Sequence, residues 1–271
     1  MIVGMGPTED CEAALAAHWA QLGRLPGGTL RDDDQLVWFQ TPVSRIPYNG
    51  VVRTRLGDDD ADAVIAEVVG VTRARGAELW WADHPSATPA DLGARLEAAG
   101  LQPAEQMHYM ALELGGWSAP PPRNAALTIA PVEDAESERA YTELTFLYWE
   151  VPAAEQAGVA DLHAAIGPSG FPGQRFLARL DGRPVAKAYL SWRGPPGVAS
   201  LYGMSVHPDA RGHGAAVTLT AAMMEHARAM GFHRAVLHST GMAVGVYERV
   251  GFVGCGGGMA YATAPVWSHD D

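Results

Sequence analysis

The chain has 271 residues, of which 48% are hydrophobic and 18% charged, and its formal net charge is −12. That length exceeds the roughly 100–200 residues of one domain, so two domains are expected. The composition excludes a disordered or collagen-like chain, and an acidic protein repels phosphate backbones, which argues against nucleic acid and for a cationic small molecule.

No apolar run approaches the roughly 20 residues of a membrane span. The N-terminal MIVGMGPTED has no basic segment before a long apolar stretch, so neither a membrane partner nor a secretory leader is expected. Cys11 and Cys255 form neither a disulfide framework nor a zinc site alone, and point to a reduced, cytoplasmic protein. The charge is uneven: residues 1–115 carry 17 acids against 8 arginines, and residues 116–271 carry 14 acids against 11 basic residues.

In chain order, Asp32-Asp33-Asp34 lacks the alternation of a calcium loop, and Asp58-Asp59-Asp60 caps a helix expected from Ala61 to Ala74. Leu79-Trp80-Trp81 predicts a strand, Pro89 to Ala99 a helix ended by Gly100, and Met107 to Leu114 a strand. The clearest break follows at Gly115-Gly116-Trp117-Ser118-Ala119-Pro120-Pro121-Pro122, where consecutive prolines make a stiff extended connector. Domains are therefore expected at 1–115 and 126–271, joined by a linker at 116–125.

Leu127 to Val132 then predicts a strand, and Glu133 to Trp149 and Ala153 to Ile166 carry helical periodicity. Arg175 to Leu180 and Val185 to Trp192 are strands joined by Asp181-Gly182-Arg183-Pro184, a hairpin signal. Val198 to Val206 is a strand, Ala215 to Met230 a helix stopped by Gly231, and Arg234 to His238 a strand. Ala243 to Val250 reads as a helix stopped by Gly251, Gly254 to Gly258 as a flexible connection, and Met259 to Thr263 as the last strand. Leu96-Glu97-Ala98-Ala99-Gly100-Leu101 lines up with Tyr247-Glu248-Arg249-Val250-Gly251-Phe252, with elements in the same order around each. An internal duplication accounts for this.

The most specific segment is Val206-His207-Pro208-Asp209-Ala210-Arg211-Gly212-His213-Gly214-Ala215-Ala216, which follows an apolar strand and opens a long helix. Such a turn aims successive N–H groups at one spot beside the positive end of the helix dipole, and Gly212 and Gly214 let an anion approach the backbone. A pyrophosphate suits it. The ten histidines show no metal-ligand spacing, so no metal is expected.

With Arg211, Gly214 and Ala216 on the fixed positions of Gln/Arg-x-x-Gly-x-Gly/Ala, and Tyr247-Glu248-Arg249-Val250-Gly251-Phe252 behind them, residues 126–263 resemble the GNAT acetyltransferase superfamily. The resemblance implies an α/β (α+β) fold of two tandem GNAT-like domains, each a mixed, mostly antiparallel sheet flanked by helices. It implies acetyl-CoA as co-substrate, main-chain pairing of Met204, Ser205 and Val206 with the pantetheine, and amides of Gly212, His213, Gly214, Ala215 and Ala216 on the pyrophosphate. Tyr247 matches the tyrosine that protonates the departing thiolate, a step that suits a phenol of pKa near 10 against a thiol near 8.5.

The general base is open. Many relatives place a glutamate on the strand before the phosphate loop, but Ser200-Leu201-Tyr202-Gly203-Met204-Ser205 has no carboxylate. Glu150 and His238 are candidates, and each also reads as a surface or strand-end polar residue. Tyr148, Trp149, Trp192 and Tyr202 suit an acceptor pocket, and an aromatic core accounts for them equally. In the first half, the stretch after Asn49-Gly50-Val51-Val52 carries Asp58, Asp59, Asp60 and Asp62 where a pyrophosphate would sit, so that half is expected to have lost CoA. The expected activity is N-acetyl transfer to a small primary amine, with oligomer formation open. The alternatives are an acyl-CoA-binding module without turnover, and an acyltransferase with another donor or a hydroxyl acceptor.

Overall fold

The computed structural model describes residues 5–167 and 171–264, so the first four residues of the segment read for a leader lie outside it. The chain forms two compact units, one of Met1–Ala14 with Tyr109–Gly256 and a smaller one of Leu15–His108 with Gly257–Asp271. Among the described residues no helix is long and apolar enough to cross a membrane.

After helix α1 (Pro7–Ala20), the smaller unit holds strands β1 (Thr29–Asp32), β2 (Leu36–Gln40) and β3 (Gly50–Thr54), helix α2 (Asp58–Ala74), strand β4 (Trp80–Asp83) and helix α3 (Leu92–Ala98). Every residue of β2 is buried. The acids Asp58, Asp59 and Asp60 sit in the first turn of α2, where they complement the helix dipole, and Ala61, Ile65, Val68, Val69 and Thr72 form its buried stripe. β3 pairs antiparallel with β2 and parallel with β4.

Strand β5 (Gln102–Glu113) leads into the larger unit, with β6 (Leu127–Pro131), α4 (Ala135–Tyr148), α5 (Ala153–Ile166), β7 (Gly173–Leu180), β8 (Arg183–Ser191), β9 (Val198–Val206), α6 (Ala215–Ala229), β10 (Arg234–Ser239), α7 (Val244–Glu248) and β11 (Val253–Ala262). The Asp134 carboxylate accepts from Ser137 N at 2.7 Å and the Ser137 hydroxyl accepts from Asp134 N at 3.2 Å, a capping box that starts α4. Asp181 and Gly182 take φ of 50° and 80°, which turns β7 into β8 as the Asp-Gly pair predicts. β6–β9 pair antiparallel in sequence order, and β10 joins β9 in parallel. On β7, Phe176 and Ala178 join the core that contains α6, whereas Leu177 between them joins the core under α4. The two helices therefore cover opposite faces of this sheet.

The fold class stands: in each unit a mainly antiparallel set of strands is flanked by helices. The compact units differ from the expected halves. The last residues of β5 lie next to β10 and pack Met110 and Leu112 into the larger unit's core, whereas Met259 to Ala262 of β11 pair with β4 and bring Tyr261 into the smaller unit's core. Each unit thus takes its closing strand from the other half of the sequence, because a strand binds wherever it finds a ladder and an apolar face. Gly254 to Gly258, expected as a connection, is extended strand within β11, and β5 begins at Gln102 rather than Met107. The helix expected from Ala243 is a single short 3-10 turn followed by the five residues of α7.

Candidate active site

β9 is held on both sides only at its start. Val198 to Leu201 pair with Arg234 to Leu237 of β10, and from Tyr202 onward β9 follows β8 alone. Between Tyr189↔Tyr202 and Lys187↔Ser205, β9 advances three residues against two on β8, a bulge that Gly203 accommodates at φ 59°. The edge of β9 from Tyr202 to Val206 is therefore left with backbone groups directed at the gap where β10 diverges. Met204 and Val206 are half-buried there, and Ser205 is buried with its hydroxyl unpartnered.

β9 delivers the chain into the turn. His207 Nδ1 accepts from Asp209 N at 3.2 Å and starts a short 3-10 turn over Pro208–Ala210. Gly212 and Gly214 follow at φ 78° and 83°, a backbone that L side chains adopt only with strain. A Cβ at Gly212 would meet no atom within 4 Å, whereas one at Gly214 would stand 2.8 Å from Arg123 Cβ. The first helical hydrogen bond of α6 runs from Thr218 N to Gly214 O at 3.0 Å, so the amides of Ala215 and Ala216 lie in the turn whose donors have no intrahelical acceptor. Arg211, Gly212 and His213 are exposed, and His213 Nδ1 lies 2.9 Å from Arg211 O. The turn is open, and its free helix-terminal amides are of the kind that suit an anion.

Tyr247 is buried in α7, its ring 6.0 Å from Phe252, and its carbonyl accepts from Val250, Gly251 and Phe252 at 2.9–3.2 Å, which fixes the residue at the helix end. Burial, and next the nearby Tyr148, push its phenol pKa upward, so the proton stays on oxygen at neutral pH. Tyr148 in turn meets Trp149 edge-on at 5.0 Å. Tyr202 and His238 face each other at 5.8 Å; burial raises the phenol's pKa and lowers the imidazole's to about 4. These aromatic residues fall into two groups, Tyr148 with Trp149 and Tyr247, and Tyr202 with His238. Glu150 joins neither: it is exposed just after α4, at φ 45°.

A polar group that sequence reasoning missed lies under α4. Arg175 of β7 is ion-paired with Glu138, and its guanidinium stands 4.9 Å over the Tyr141 ring, while His163 Nδ1 lies 3.0 Å from Thr142 Oγ1. Lys187 of β8 faces the same ring at 4.8 Å. The signal in the sequence is a single lysine inside the apolar run Pro184-Val185-Ala186-Lys187-Ala188-Tyr189-Leu190.

Residues 137–252 match the profile of the acetyltransferase (GNAT) family. The chain is 27% identical over 203 residues to a mycothiol acetyltransferase of Arthrobacter sp. (strain FB24); the match takes in 71% of this chain and 62% of that protein's length. A GCN5-related N-acetyltransferase from Kribbella flavida superposes with a TM-score of 0.61 at 20% identity, over 92% of this chain and 95% of that one. A tandem GNAT protein from the clavulanic acid biosynthesis pathway superposes with a TM-score of 0.58 at 16% identity, over 94% of each chain.

Proposed function

We propose, from the match of residues 137–252 to the acetyltransferase (GNAT) family profile, that the larger unit transfers an acetyl group from acetyl-CoA to a primary amine of a small molecule. The observation that carries this reading is a continuity of backbone: β9 parts from β10 at Tyr202 and leads directly into the turn that opens α6.

When bound, acetyl-CoA supplies an acetyl group already activated as a thioester. Main-chain groups of Met204, Ser205 and Val206 pair with the pantetheine arm, and Arg211 with the amides of Gly212 to Ala216 holds the pyrophosphate. Charge-assisted bonds of this kind contribute about 1.5–3 kcal/mol each. Tyr247, kept protonated by its burial, gives its proton to the departing sulfur. Trp149, Tyr202 and His238 contact the acceptor, whose low molecular mass is in keeping with the small thiol for which the Arthrobacter relative is named. Glu150, exposed beyond α4, is read as a rim residue that meets the acceptor's charge rather than as a buried base.

The smaller unit is read as a degenerate copy. Its β2, β3, α2 and β4 repeat the order and pairing of β8, β9, α6 and β10, and a tandem GNAT protein has the same fold. At its strand–helix turn the first helical turn carries Asp58, Asp59 and Asp60, which repel a pyrophosphate. A panel of primary amines incubated with the full chain and acetyl-CoA, read by thiol release and mass spectrometry, tests the function. Acetylation of at least one amine is expected. CoA binding without release of thiol for any acceptor would replace this reading by one of an acyl-CoA-binding module.

A further inference from the structure

Lys187 is the chain's one lysine and is only 3% exposed. It lies on β8 opposite Ser205, and its Nζ stands 3.4 Å from where a Cβ would sit on Gly203, the bulged residue at which β9 has just left β10. The Tyr141 ring of α4 lies 4.8 Å from its Nζ, Arg175 of β7 and His163 of α5 are close enough to interact with it electrostatically, and Ser205 of β9 is its cross-strand neighbour, while Glu138 of α4 and Tyr189 of its own strand adjoin Arg175. Glu138 spends one oxygen on Arg175, and among the described residues no carboxylate lies within ion-pair distance of Lys187 Nζ. The second oxygen of Glu138 and the Ser205 hydroxyl are buried with no hydrogen-bond partner. A buried ammonium with no counter-ion is costly, and an amine that gives up its proton avoids that cost.

We propose that Lys187, as a neutral amine, is the base that takes the proton from the acceptor nitrogen, at the point where β9 opens. This rests on the acetyl-transfer reading above and supplies the base that Ser200–Ser205 does not carry. In the step, the acceptor nitrogen's lone pair forms the C–N bond as the thioester C–S bond breaks. The proton shed by nitrogen goes to the Nζ lone pair, and the departing sulfur takes its proton from Tyr247. Lys187 leaves the step as an ammonium and Tyr247 as a phenolate, and both are reset by proton exchange with solvent before the next turnover. Burial, and after it the charge of Arg175, bring the Lys187 pKa down to about 7, so the neutral form is available at neutral pH. His163 is held neutral by its own burial and by the charge of Arg175, so it does not compete for the proton.

The experiment uses the full chain with isotope-labelled lysine, which gives a single side-chain resonance. Its titration is expected near pH 7; an amine that stays charged to pH 9 overturns the assignment without any variant. In kinetics with an accepted amine, the wild-type rate is expected to rise through that pKa and level off. Lys187→Met should lower kcat by roughly 10²–10⁴-fold, with little change in KM for acetyl-CoA and without the rising limb. Lys187→Arg, charged but unable to accept a proton, should remain as impaired as the Met variant; recovery in Arg would show a packing or charge role and overturn the proposal. A wild-type chain that transfers acetyl to no amine overturns the function itself, an outcome distinct from an active wild type whose Lys187→Met variant is equally active.

Discussion

At the scale of single side chains, burial sets how tightly each group holds its proton at rest. Tyr247 keeps its proton because burial penalises the phenolate. Tyr247→Phe preserves the ring packing on Phe252 and removes only that proton. It is expected to reduce kcat by roughly 10²–10⁴-fold while leaving CoA affinity unchanged in a titration; a fall of less than threefold would make the tyrosine a packing residue. Cys11 and Cys255 face each other with sulfurs 3.8 Å apart and are both free thiols. The contact between the two sulfurs lowers the pKa of Cys255 and raises that of Cys11, and burial raises the latter further. Iodoacetamide is therefore expected to alkylate Cys255 well before Cys11, as a peptide map will show.

Among the elements, the turn into α6 and the start of α4 carry the sharpest tests. Gly214 is a poor place to probe the cradle, since a side chain there runs into Arg123 as well as a strained backbone. Gly212 has open space on its Cβ side, and Asp and Asn tolerate its left-handed φ. Gly212→Asp is expected to weaken CoA at least tenfold by calorimetry, with Gly212→Asn, the same shape without charge, much closer to wild type. Equal affinities in the two variants would remove the pyrophosphate from this turn. At α4, Asp134→Ala deletes the cap bonded to Ser137 N and should cost about 1 kcal/mol. That corresponds to roughly 2–4 °C in melting temperature for a unit of this size.

Over the full chain, the acidic excess of residues 1–115 falls partly on the opening of α2. There Asp58 and Asp62 pair with Arg95 at 3.6 and 3.0 Å. The chain should bind one CoA, and a calorimetric stoichiometry of two would contradict a degenerate smaller unit. Much of this architecture is written in near-neighbour patterns. The bounds of β9 and α5 follow to the residue from alternation and helical periodicity, and the β7–β8 turn and the cradle follow from glycine placement, because periods of two and 3.6 and a positive φ are properties of adjacent residues. Three features depended on distant partners instead. Gly254 to Gly258 lacks the side chains that announce a strand, yet β11 is one continuous strand from Val253, and its later residues find their ladder on β4. The edge of β9 becomes free only because β10 stops following it at Leu201. Lys187 reads as an interruption of an apolar strand until Tyr141 and Arg175, 46 and 12 residues earlier in the chain, close over it. Local conformation comes from contacts along the chain, whereas burial, strand partners and proton affinity come from what folding brings together, and the candidate chemistry of this protein resides in the second set.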